Sequence, residues 1–250
     1  IKGEPTTPAD PAQGLVWSAI VGQIDRVGSE SEFVSVADTG RNVFAKHPWS
    51  MGGGGASGLK EWMDTFCTRQ LGSLTTEMGF FGITAADEVM LSDHESLKRR
   101  RIELAHIRPL VLGDEVRDWR APSQVCVLFP YDSSQLVALD SMPALHRWLW
   151  PCRTLLGNRA TFSKLTYFEE GRPWWEWHQI ALRRAEGLTL TYAFVATHNH
   201  FVLERGANVF NRSAPIIKLS IGSSEQQHLG ILGLLNSSIG CFWMKQLFHN

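Results

Sequence analysis

Apolar positions along this chain recur at helical spacing in a few stretches and as short runs in many others. Leu59, Trp62, Met63, Phe66 and Cys67 recur every three or four residues, which predicts an amphipathic helix over residues 57–71 with Gly72 as its C-cap. Similar spacing predicts helices over 15–25 and 142–149, the second with Pro143 in its first turn. Short apolar runs bounded by Gly, Pro and Asp read as strands at 32–36 and 124–129. Residues 42–44 read as an extended piece before a turn at Pro48, and 79–93 as strand, turn and strand. Pro109 and Gly113 mark 107–119 as strand or loop rather than helix. Residues 192–250 predict two strands around a turn at Gly206, then a buried helix over 229–247. The Pro-rich residues 1–14 read as an extended lead-in.

Composition narrows the class. A chain of 250 residues with 44 % hydrophobic and 20 % charged residues has the make-up of a globular protein with one large domain or two small ones. Four scattered cysteines without CxxC spacing argue against a zinc ribbon or a disulfide framework and suit a reducing cytoplasm, so the expected location is cytoplasmic. No membrane partner is expected, because no uncharged apolar run approaches twenty residues; the nearest, 229–244, contains Asn236, Ser237 and Ser238. A start at Ile1 and an apolar final helix point to a piece of a longer protein. The net charge of −1 conceals a polarity. Residues 1–140 hold 13 Lys and Arg against 19 Asp and Glu, whereas 141–250 hold 11 against 6, which points to an anionic partner for the second part.

Several local patterns carry possible chemistry. A GxGxxG match at Gly53, Gly55 and Gly58 opens the 57–71 helix and would offer backbone N–H groups to an anion. The segment before it is a poor strand, so a flexible connection reads better than a dinucleotide site. The basic run 98–101 reads as a solvated helix end or loop. Between 147 and 184, five Trp alternate with Arg147, Arg153, Arg159, Lys164, Arg172, Arg183 and Arg184. Aromatic faces beside cations stack bases and bind phosphates, although buried Trp beside snorkelling Arg gives the same sequence. His198 and His200, read as sharing a strand face, resemble two metal ligands without a third. No GxSxG, HExxH, P-loop or Asn-Pro-Pro-Tyr motif occurs, so no catalytic or metal residue is assigned.

The run IRPLVLGDEVRDW (107–119) resembles the entry into the TaqI-like specificity domain of adenine-specific DNA methyltransferases. The resemblance continues through 149–180, 194–220 and 228–246, which are similar to phage-defence adenine methyltransferases of the BREX or phage-growth-limitation type. HPWSMGGGG (47–55) resembles the segment that joins their catalytic core to the recognition region. The resemblance implies a target-recognition region whose catalytic and S-adenosylmethionine motifs lie outside this chain. No cofactor is therefore expected in this fragment.

Pattern and resemblance together predict an α+β fold. Residues 1–95 would form a smaller connector lobe adjoining the methyltransferase core, and 96–250 a recognition lobe built on a mixed β-sheet with flanking helices. The expected partners are double-stranded DNA, the core and other defence-system proteins. Arg147, Arg153, Arg159, Arg172, Arg183 and Arg184, with Lys164, are candidates for the DNA backbone. His198, Asn199, His200, Arg205, Asn211 and Arg212 are candidates for base edges, since Arg reads guanine and Asn adenine bidentately. Two other readings are a protein-interaction scaffold packed on the catalytic domain or a defence partner, and a metal-dependent nuclease using His198 and His200.

Overall fold

A computed structural model describes the chain except residues 1, 2, 6, 7, 46, 48, 50–53, 118, 133, 134, 185, 207, 249 and 250. It runs α1 (Leu15–Gln23), α2 (Ala56–Thr65), β1 (Thr75–Gly79), β2 (Gly82–Ile83), α3 (Asp87–Met90), β3 (Leu91–Ser92), α4 (His94–Arg99), β4 (Ile107–Val111) and β5 (Val125–Leu128). There follow α5 (Pro143–Leu149), α6 (Arg153–Gly157), β6 (Gln179–Ile180), β7 (Thr189–Tyr192), β8 (Phe201–Glu204), β9 (Val209–Phe210), β10 (Ile216–Leu219), α7 (Glu225–Leu235) and α8 (Ser238–Lys245). The fold is α+β.

The chain forms two compact units, residues 1–70 with 238–250, and residues 71–237. Residues 71–95, grouped with the connector on sequence, pair and pack inside the second unit, where β1 lies antiparallel to β10.

The first unit holds α1, α2 and α8. Trp243 donates its indole N–H to Asp64 at 2.8 Å, tying α8 to α2. The helix expected over 57–71 ends at Thr65, where the threonine hydroxyl turns back onto the Trp62 carbonyl at 2.7 Å, so Gly72 is not its cap. The strand expected at 32–36 is a tight loop closed by a single bridge between Glu30 and Ser35, and 42–44 lie in a 3₁₀ turn. The turn at Pro48 and most of the glycine loop fall outside the described residues. Gly54 and Gly55 have φ of 64° and 79°, backbone that glycine adopts without strain.

The second unit contains two four-stranded sheets. One is antiparallel in the order β1-β10-β7-β8. The other runs β3-β5-β4-β9 and is mixed, because β9 lies parallel to β4. Gly206 (φ 95°) is therefore not a hairpin turn: the chain leaves the antiparallel sheet at β8 and enters the mixed sheet at β9. The core is aromatic at its centre, where Phe81 meets Trp177 and Phe210 edge-on at 6.2 Å each and stacks on Phe129 at 6.4 Å. Leu97, Leu110, Leu128, Met142, Leu145 and Ile216 surround it, fully buried. Gly113 is required by close approach, since a Cβ there would lie 2.1 Å from the Ser213 carbonyl oxygen.

The helix expected over 229–247 is two helices. Ser224 and Gln227 form a capping box at the start of α7. At its end Asn236 turns away to bond both the N–H and the carbonyl of Phe201 at 2.8 Å. Ser237 donates to the Leu234 carbonyl at 2.7 Å, and the helix stops there.

Candidate nucleic-acid interface

The cation-rich segment 147–184 divides into structural and surface groups. Arg159 is 8 % exposed. Its Nε donates to the Leu156 carbonyl at 2.8 Å and Nη1 to that of Thr84 at 2.6 Å. Its Nη2 donates to Trp174 and Glu176 carbonyls at 2.9 and 2.8 Å. Arg159 and Arg172 stack on the Tyr167 ring at 4.3 and 4.5 Å. Arg159 thus knots the fold together, buried with its guanidinium nitrogens bonded to backbone carbonyls, whereas the sequence placed it among the candidates for the DNA backbone. Burial lowers its pKa, and the neighbouring Tyr167 and Glu176 oppose that shift.

Arg172 is held by Glu176 at 2.5 Å and approaches Glu170 at 4.0 Å. Arg184 is occupied by Glu77 and the Phe80 carbonyl. Arg183 also meets Glu77, at 2.7 Å, yet its side chain stays 76 % exposed.

The surface group is different. Arg147 is exposed on α5, and Arg153 is exposed at the start of α6. The Arg153 guanidinium lies over Trp150 at 5.5 Å and Phe168 at 4.8 Å, both exposed rings. Lys164 projects from a turn closed by the Thr161 N–H to the Leu165 carbonyl at 2.8 Å, with exposed Phe162 and Leu165 on the same turn. Glu170 accepts from Ser163 and Thr161, which hold its carboxylate below its usual pKa. Of the five Trp in this segment, only Trp150 is exposed. Trp148, Trp175 and Trp177 donate their indole N–H groups to the Val89, Val137 and Leu128 carbonyls, and Trp174 is buried.

The polar row after Tyr192 is not a strand face. His198, Asn199 and His200 lie in the loop between β7 and β8. His198 is exposed beside Thr197, Asn199 donates to the Leu235 carbonyl at 2.6 Å, and His200 is half-buried. The Asn199 amide thus supports the loop, which removes it from base reading. No group of three potential metal ligands occurs among the described residues. Arg205 is exposed but pairs with Glu225 at 2.6 Å. Asn211 is half-buried after β9, and Arg212 is exposed next to it. Arg153 thus lies over exposed aromatic rings and Lys164 on the 161–165 turn, while His198 and Arg212 belong to the β7–β8 loop and the β9–β10 connection.

Two features escaped the sequence reading. Trp119, the last residue of the IRP-type motif, is 57 % exposed at φ 69°, in a turn closed by reciprocal Arg117 and Arg120 backbone bonds of 2.9 Å. A bulky side chain in the left-handed region is strained. Phe194 and Val195 are exposed on the β7–β8 loop.

No protein-family model matches this chain. Over its whole length the chain is 47 % identical to the adenine-specific methyltransferase PglX of Streptomyces coelicolor, of which it covers 21 %. The Type IIL restriction-modification enzyme MmeI, solved in complex with DNA, is similar over 72 % of this chain and 23 % of its own, with a TM-score of 0.50 and 13 % identity. That likeness is one of fold. The chain spans about a fifth of the length of the curated relative it matches.

Proposed function

We propose that this chain is the TaqI-like target-recognition part of an adenine-specific DNA methyltransferase of a restriction-modification or phage-defence system. The observation that carries the reading is the 47 % identity along the entire chain to a segment of the adenine-specific methyltransferase PglX. Methylation of a base in a duplex requires that base to leave the stack, so a lobe apart from the chemistry must hold the flanking duplex. Exposed Arg147, Arg153, Lys164 and Arg183 suit phosphate contacts, which give affinity and register. Arg205, Arg212, Asn211, His198 and half-buried His200 remain candidates for base edges. Arg172 and Arg184 serve through their carboxylate partners, as positioning cations. S-adenosylmethionine and the methyl transfer belong to the rest of the longer enzyme, which is proposed to act in the cytoplasm; among the described residues no helix is long and apolar enough to cross a membrane.

Selection of duplexes from a random-sequence pool by the 250-residue chain tests the reading. A recovered consensus is expected, lost on Arg212→Ala or Arg205→Ala but kept on Arg159→Lys in the folded fraction. Recovery of unenriched sequence, with no retention above a bead control, overturns it.

A second role is supported by the first unit. Leu15, Trp17, Val21 and Ile24 on and beside α1, and Leu59, Trp62 and Phe66 on and beside α2, are exposed apolar side chains. We propose that they pack on the methyltransferase core, so the scaffold reading describes this unit and DNA binding the other. Trp17→Asp with Trp62→Asp should impair assembly of the full-length enzyme and leave DNA binding by the isolated chain unchanged.

A further inference from the structure

The β7–β8 loop carries Phe194 and Val195, 58 % and 73 % exposed. The loop is not loosely hung. The Phe194 N–H donates to the Ser213 carbonyl at 3.0 Å, Tyr192 to Pro215 at 3.2 Å and Ala193 to His200 at 3.3 Å. Its far end is clamped by Asn199 to the Leu235 carbonyl and by Asn236 to both backbone groups of Phe201. Phe80 supports the Phe194 ring edge-on at 6.0 Å. A rigid frame thus presents two apolar side chains outward, an arrangement that needs a partner.

The surroundings select that partner. Arg212 precedes the Ser213 that anchors Phe194, and His198 lies on the loop itself, both exposed. Arg184 binds the carbonyl of Phe80, with exposed Arg183 beside it in sequence. Glu77, the carboxylate among them, is already taken up by Arg183 and Arg184. Phe194, Val195 and the neighbouring Phe80, itself 39 % exposed, together expose roughly 300 Å², well short of the ~800 Å² per partner that a stable protein interface covers. An apolar tip with cations on the segments that anchor it fits a base-pair step, which is apolar between its faces and anionic at its edges.

We propose that Phe194 and Val195 form a wedge that this chain inserts between stacked base pairs of a DNA duplex. The inference rests on the DNA-recognition reading and assigns a further binding element to it. Insertion separates two base pairs, so its cost is lower where stacking is already interrupted. The chain is therefore expected to bind a duplex with one abasic site more tightly than the same duplex intact.

The test compares these two 30-bp duplexes by fluorescence anisotropy across a salt series, using the 250-residue chain. The wild-type chain should prefer the abasic duplex by about tenfold or more. Val195→Ala and the double change Phe194→Ala with Val195→Ala should bring the ratio towards one, with the salt slope unchanged. Phe194→Leu, which keeps an apolar tip, should keep most of the preference. Val195 is so exposed that its truncation leaves the fold intact, which circular dichroism would verify. A wild-type ratio near one, or a preference that survives the double change, overturns the wedge while salt-sensitive binding still supports the DNA reading. Failure to bind either duplex at low salt overturns both.

Discussion

Arg159 separates a structural cation from a DNA-binding one, and its replacement should be felt in the fold. Arg159→Ala removes the guanidinium that bonds the carbonyls of Leu156, Thr84, Trp174 and Glu176 and covers the Tyr167 ring. Leaving a buried carbonyl unpaired costs ~1–3 kcal/mol, and a desolvated cation–π contact adds up to ~2 kcal/mol. Against this, the native state no longer carries the cost of burying a charge, which is several kcal/mol. With four carbonyls left unpaired, the loss outweighs that gain, and a net destabilisation of about 3–5 kcal/mol is expected. In a unit of this size that corresponds to a fall in Tm of about 10 °C. Arg159→Lys should recover only part of the loss, because an ammonium cannot satisfy the same planar set of acceptors. Denaturant and thermal unfolding, followed by Trp fluorescence, read the change; DNA affinity per folded molecule should stay within about twofold. A variant of unchanged stability that loses DNA binding would refute the structural assignment.

Other substitutions test neighbouring parts of the account. Arg153→Ala, at an exposed site, should change unfolding free energy by less than about 0.5 kcal/mol and weaken duplex binding severalfold, read by anisotropy. Gly113→Ala would drive a methyl group into the Ser213 backbone and should cost about 1–3 kcal/mol or more in urea unfolding, whereas Gly72→Ala, with open space around it, should be close to neutral. Burial, with Arg159 and Arg172 nearby, holds the His178 pKa below its ordinary 6.5. The unfolded state therefore binds more protons just below pH 6.5, so the His178 contribution is intact above that pH and lost as pH falls towards the folded-state pKa. His178→Gln should flatten the acid side of a stability–pH curve measured by thermal unfolding.

The sequence showed its helices best where local spacing is backed by local punctuation, as with Pro143 opening α5. Strand positions such as 124–129 were legible because apolar runs and breakers are local signals, and β5 lies there. Sheet membership was not, because it depends on distant pairing: β8 and β9 flank Gly206 but enter different sheets. The break after α7 depends on Asn236 finding the backbone of Phe201, 35 residues away, which periodicity does not show. The candidate surface was legible only as a composition of Trp and Arg. Exposure separates its members: Arg153 lies outward on aromatic rings, while Arg159, six residues on, meets four carbonyls converging from three segments. Phe194 and Val195 are apolar in sequence and exposed in the fold, because the β7–β8 loop carries them.

The central claim is electrostatic recognition of duplex DNA by this chain. The most direct measurement is the dissociation constant for a 30-bp duplex as a function of salt. Each phosphate neutralised contributes about −0.9 to the slope of log K against log salt. If Arg147, Arg153, Lys164 and Arg183 each meet a phosphate, the slope should be about −3.6, and Arg153→Ala should make it shallower by about 0.9. A slope near zero, or one that no exposed cation alters, would contradict the account.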